Sequence, residues 1–263
     1  MPALDPILAH VVPFTLVVFR LAGLFVAAPL LMSVGVPARI KAMLAVTMAL
    51  AVYPTVPASW HGMGEVGWAG LLGMVVGEAA VGLVMGVVAS VPILCMDMAG
   101  VFGGQVMGLG LARVYNPEMD TESDVTGQLL FMLATGAFVV MGGLEWLFVS
   151  LARTFETLPP GGIALSSAPL AGLVGVIGSG CELAIRVTLP IVAVVTLLVL
   201  IFGAIGKTMP QINVMSVGFS VKVVGGLMAL AASVVVIERV VGEEVVRVLR
   251  LVGSWAAGAV GVA

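Results

Sequence analysis

Charge is scarce in this chain. Only 10% of its 263 residues are Asp, Glu, Lys or Arg, against about a quarter in an ordinary soluble domain. A water-soluble globular protein is excluded on that ground. Histidine is nearly absent as well, with His10 and His61 the only two. There is no HExxH pair and no nucleophile beside a base, so an intramembrane enzyme has little support and no metal or other cofactor is expected. The two cysteines, Cys95 and Cys181, sit far apart in apolar runs without CxxC spacing. They read as small core residues, not as a disulfide or a metal site. No basic run suggests nucleic acid, and no long low-complexity tail is present.

What fills the sequence instead is apolar. Hydrophobic residues make up 61% of it and the mean hydropathy is +1.23, which defines an all-α integral membrane protein with room for about six spans of roughly 20 residues each. The amino terminus lacks a basic region and a small-residue cleavage site, so it is expected to be retained. The first span is expected from Ile7 to Leu31, and Arg20 near its middle should face protein or water, because a guanidinium in lipid costs a few kcal/mol. Pro29 and Ser33–Pro37 break that helix. Arg39 and Lys41 begin the next run, Ile40 to Val56, and favour a cytoplasmic first connection, although Arg153, Arg239, Arg247 and Arg250 leave the orientation unsettled.

After a short loop from Ser59 to Gly67, the run from Trp68 to Val101 is too long for one untilted span. Its glycine pairs, Gly73 with Gly77 and Gly82 with Gly86, have the GxxxG spacing that lets helices approach backbone to backbone. Glu78 and Asp97 interrupt it, as interhelix partners or as part of an aqueous path. Another span is expected from Leu129 to Leu151. Leu170 to Gly206 is again overlong and holds Pro190, predicting either a kinked helix or a tight hairpin of two. Glu182 and Arg186 within it stand four apart on one face, as a pair neutralising each other in low dielectric. GAIGKT at 203–208 invites a phosphate-loop reading, which fails because the first glycine position is Ile201. The last span, Phe219 to Ile237, passes into an amphipathic helix from Glu238 to Trp255, with Arg239, Glu243 and Arg247 along one side and Val241, Val245, Val248 and Val252 along another.

Two polar interruptions remain. Gly100 to Gln128 carries glycines at 100, 103, 104, 108 and 110, then four acids in seven residues behind Asn116–Pro117. It is either a solvated connection or the working part of a membrane pathway. Pro210, Gln211 and Asn213 offer hydrogen-bonding groups at a turn in an apolar context, for which an ordinary loop has little need. A stand-alone transporter would suit broken helices and intramembrane carboxylates, but no internal repeat is recognisable.

Arg20 with Gly23, Val36–Arg39 (VPAR), the central GLGLARVYNPEMD, MGGLEWL, SLARTFETLPPGG and PQINVMSVGFSVK together resemble the flagellar biosynthetic protein FliR family of type III export-gate subunits, over nearly the whole chain. The resemblance implies a single membrane-embedded export-gate domain over 1–263, folded as helical hairpins packed on neighbours. The function it implies is that of a structural, non-enzymatic channel subunit of the flagellar export gate, or of the homologous gate of an injectisome. Its implied setting is the bacterial inner membrane and the flagellar basal body. The implied partners are FliP-type, FliQ-type and FlhB-type subunits, membrane lipid and unfolded export substrates. By the same resemblance the loop matching Leu109 to Asp124 lies in the channel and helps plug it, which marks Gly104, Gly108, Leu109, Gly110, Arg113, Tyr115, Asn116 and Pro117. Arg39, Pro210, Gln211, Asn213 and Val214 are candidates for subunit assembly, and Arg20, Glu78, Asp97, Glu182 and Arg186 are the intramembrane charges.

Overall fold

The structure, a computed structural model, describes residues 5–31, 36–57, 60, 67–110, 125–158, 170–208 and 214–256. Every regular element among them is helical. In chain order these are α1 (Asp5–Ala27), α2 (Ala38–Val52) with a closing 3-10 turn at Tyr53–Thr55, α3 (Trp68–Met107), α4 (Val125–Val140), α5 (Gly143–Thr157), α6 (Leu170–Thr208) and α7 (Val214–Ala256). Four of the helices are long and apolar enough to cross a membrane, and α4 with α5 makes a fifth if that bent pair is one span.

Both overlong runs are single helices. α3 has 40 residues with Pro92 inside it and α6 has 39 with Pro190 inside it, so at 1.5 Å per residue each is about 60 Å long, twice the hydrocarbon thickness. The tight hairpin considered for Leu170 to Gly206 does not form. A proline removes one backbone hydrogen bond and can kink a helix, but reversing the chain needs turn chemistry as well, and no Asn-Gly or Pro-Gly signal accompanies Pro190. The last span and the amphipathic helix after it are likewise one element, the 43 residues of α7.

Two expected spans come out differently. The run from Ile40 to Val56 holds only the 15 residues of α2 before its 3-10 turn, about 22 Å of helix and too short for the bilayer core. The span expected from Leu129 to Leu151 is broken: α4 and α5 meet at an angle of 60°. Gly142 causes the break, since it takes the left-handed backbone conformation (φ 72°) that only glycine adopts without strain.

The chain divides into two compact units. One comprises Met1–Val91, Gly142–Val176 and Val245–Ala263, and the other Pro92–Met141 and Ile177–Glu244. In the first unit, α1 and α3 are in backbone contact. A Cβ on Gly82 would run into the Arg20 carbonyl, one on Gly23 into the Ala79 carbonyl, and one on Gly86 would sit 2.9 Å from the Ala27 Cβ. The Gly82–Gly86 spacing therefore serves helix packing inside the chain, whereas a Cβ on Gly73 would meet nothing within 4 Å. Leu16, Val17, Leu21, Leu24 and Phe25 of α1 are buried in this unit, as are Leu147, Leu151 and Phe155 of α5.

In the second unit, the later half of α3 is met by α4, α6 and α7. The Thr188 hydroxyl of α6 lies 3.2 Å from the Ala99 carbonyl, Ile191 lies against Gly103, and Met107 fills the space left by Gly226 of α7. The valine stripe expected on α7 is buried at Val241 in this unit and at Val245, Val248 and Val252 in the first, while Arg239, Glu243 and Arg247 are exposed.

Candidate functional site

Arg20 is 1% exposed, and its environment is complete. Its Nε donates to Glu78 Oε2 of α3, itself 1% exposed, and its Nη1 donates to the Thr154 hydroxyl of α5 at 2.9 Å. The Thr154 hydroxyl hydrogen goes to the Leu151 carbonyl at 2.5 Å, which leaves its lone pairs for the guanidinium. The charge lies over two aromatic rings that also touch each other edge to face, Phe155 at 4.6 Å and Trp60 at 5.3 Å from ring centroid to Cζ. Trp60 is fixed in turn by its indole N–H, which donates to the Phe155 carbonyl at 3.2 Å. The sequence placed Arg20 away from lipid but gave no partner for it, and it put Trp60 in the short loop from Ser59 to Gly67 with no role; Trp60 is 1% exposed.

The other expected pair forms in a different setting. Arg186 donates to Glu182 Oε1 at 2.5 Å, with side chains 61% and 59% exposed. It is a pair on the outside of the chain, not a buried one. Spacing fixed the pairing, but which face of α6 turns outward depends on packing. Asp97 is half-buried on α3, beside Gly127 of α4: a Cβ on Gly127 would lie 2.9 Å from Asp97 Oδ1.

That crossing forms the base of the central stretch. A Cβ on Gly100 would strike the Thr126 carbonyl and the Gly127 backbone, and the Thr126 hydroxyl donates to the Gly100 carbonyl at 2.8 Å. α3 then ends in a Schellman motif. Gly108 has φ 93°, its N–H donates to Gln105 O at 3.0 Å, and the Leu109 N–H donates to Gly104 O at 3.0 Å. The described glycines of this stretch have separate roles. Gly100 and Gly103 are packing positions, Gly104 is buried inside α3, and Gly108 stops the helix. Gly110 has room, with Gln105 Cγ at 4.0 Å from a Cβ placed there. Arg113, Tyr115, Asn116 and Pro117 lie outside the described residues, as do Pro210, Gln211 and Asn213. Val214 is the first residue of α7. Arg39 is exposed near the start of α2.

Near the N-terminal end of α1, His10 Nδ1 and the Tyr53 hydroxyl are 2.8 Å apart. Burial raises the Tyr53 hydroxyl above its ordinary range, so it stays a neutral phenol at physiological pH.

Among the described residues no three His, Cys, Asp or Glu side chains gather in a way that could hold a metal ion. The apolar surface is extensive. Only 11% of the apolar stretch of α6 and 17% of that of α7 are buried, against 50% in α1 and 56% in α3.

Span-length apolar helices, with their deepest charges paired inside the chain, define an all-α integral membrane protein. The chain belongs to the family described as bacterial export proteins, family 1, which it matches over residues 11–248. It is 28% identical to flagellar biosynthetic protein FliR of Escherichia coli, over 81% of this chain and 80% of that protein. It is 29% identical to FliR of Bacillus subtilis over 80% and 81%, and 26% identical to the secretion system apparatus protein SsaT of Salmonella typhimurium over 62% and 63%.

Proposed function

We propose that this chain is a structural, non-catalytic subunit of the flagellar type III protein export gate, in the inner membrane at the flagellar basal body. The observation that carries the reading is the match to the export-protein family along almost the whole chain, with flagellar FliR proteins similar over about four fifths of it. The exposed apolar faces of α6 and α7 suit a subunit that meets other chains and lipid on most of its surface. The partners of this reading are FliP-type, FliQ-type and FlhB-type subunits and the unfolded proteins that pass through the gate.

Deleting the gene from its host tests the reading. Flagellar proteins should cease to be exported, no flagellum should form, and re-expression should restore both. Normal flagella in the deletion strain would overturn it. The similarity to SsaT supports a second reading, the homologous subunit of an injectisome, which predicts intact flagella and loss of the other secretion system.

A further inference from the structure

We propose that Arg20, Glu78 and Thr154 form a register lock, fixing α1 against α3 and α5 in one of several packings that the apolar residues alone would accept. The ion pair joins positions 58 residues apart, and the bond to Thr154 joins positions 134 apart. All of these residues belong to the first compact unit.

Stability alone does not account for the cluster. Withdrawing two charges from water costs several kcal/mol per ion, and apolar side chains of similar volume commonly hold helices together at least as well. Apolar side chains are poor at choosing a register. The contact between α1 and α3 runs along the small-residue seam of Gly23, Gly82 and Gly86. Leucine and valine neighbours can repack after a slide of one helical turn, about 5.4 Å.

The guanidinium has no such latitude. Its Nε and Nη1 reach two different helices at once, and the Phe155 and Trp60 rings pack together against it. A slide of one turn breaks both hydrogen bonds together and leaves a buried charge unpaired, which is the costliest outcome available to the chain. The Thr154 bond to Leu151 and the Trp60 bond to Phe155 hold the receiving side in place beforehand.

Trapping of cysteine pairs in native membranes, with a bis-thiol crosslinker long enough to replace the two phenylalanine side chains, tests this. With Cys95→Ala and Cys181→Ala removing the native thiols, Phe25→Cys is paired in turn with Phe148→Cys, Leu144→Cys or Ala152→Cys. The rings of Phe25 and Phe148 are 5.6 Å apart, and positions 144 and 152 lie one turn to either side. The otherwise unaltered chain should be trapped at 148 alone. Arg20→Lys keeps the charge for Glu78 but removes the planar fork and one of its two anchors; single-position trapping should be lost, with product also at 144 or 152. Arg20→Met with Glu78→Leu should accumulate in the membrane and also trap at more than one position. Trapping at 148 alone in the Arg20→Lys chain overturns the proposal and reduces the cluster to charge neutralisation. The Arg20→Lys result decides the matter even where the double variant fails to accumulate.

Discussion

Two ion pairs built from the same residue types, Arg20 with Glu78 and Arg186 with Glu182, should respond differently to the loss of one member. Both sides of the first pair are 1% exposed, so Glu78→Ala strands a guanidinium in the protein interior and should destabilise the chain by about 3–5 kcal/mol. The second pair is 61% and 59% exposed. On the outside of the chain the remaining carboxylate can turn toward water or detergent headgroups, so Arg186→Ala should lower the unfolding midpoint of the isolated chain by less than Glu78→Ala does. Unfolding of the two purified variants in the same detergent compares them, and equal losses would contradict the difference in burial. The sequence ranks these pairs the wrong way round. Glu182 and Arg186 stand four residues apart on one helix and advertise themselves, whereas Glu78 and Thr154 reach Arg20 only through the tertiary fold. Chemistry showed that Arg20 had to avoid lipid; spacing had nothing to say about what would meet it.

Among the helices, glycine explains both what the sequence revealed and what it concealed. The two GxxxG pairs of α3 look alike as strings, yet a Cβ at Gly82 would collide with the α1 backbone while one at Gly73 would meet nothing within 4 Å. Gly82→Val should therefore abolish accumulation of folded chain, at a cost above the 1–3 kcal/mol of ordinary overpacking, and Gly73→Val should leave the isolated chain intact. Membrane levels of the two variants read this directly, and equal levels would show that the α1–α3 approach is dispensable. Gly142 is a different case, because its φ of 72° makes Gly142→Ala cost about 1–2 kcal/mol through backbone strain alone. A thermal midpoint unchanged in Gly142→Ala would mean that the bend survives by another route. The adjacent Gly142–Gly143 was the available signal for that break, hidden because hydropathy runs unbroken across it. Helix existence was legible almost everywhere, since long apolar runs in a membrane have few alternatives. Continuity was not: Pro92 and Pro190 each permit a kinked helix or a broken one, and neighbouring helices decide between them.

At the scale of the whole molecule, the most exposed spans, α6 and α7, flank the Pro210–Gln211–Asn213 connection. If that polar segment docks a neighbouring subunit, Gln211→Leu with Asn213→Leu should yield normal amounts of chain but no intact gate complex, and a normal yield of complex would refute the assignment. The central stretch allows a mechanistic test. It leaves α3 at the Gly108 stop and returns in α4, whose Thr126 and Gly127 pack on Gly100. The base of the loop is thus held by the backbone contact of two helices, and a deletion beyond Gly108 need not disturb it. If Leu109 to Asn116 closes the channel at rest, removing part of that segment should leave assembly unchanged and make the membrane leak ions. A solvated connection outside the channel predicts the same assembly with no leak. Because the crossing at Gly100 and Gly127 remains in both cases, the deletion separates blocking from folding. The measurement is the ionic conductance of membranes containing the assembled deletion complex, and a closed conductance equal to that of the intact gate would sink the plug.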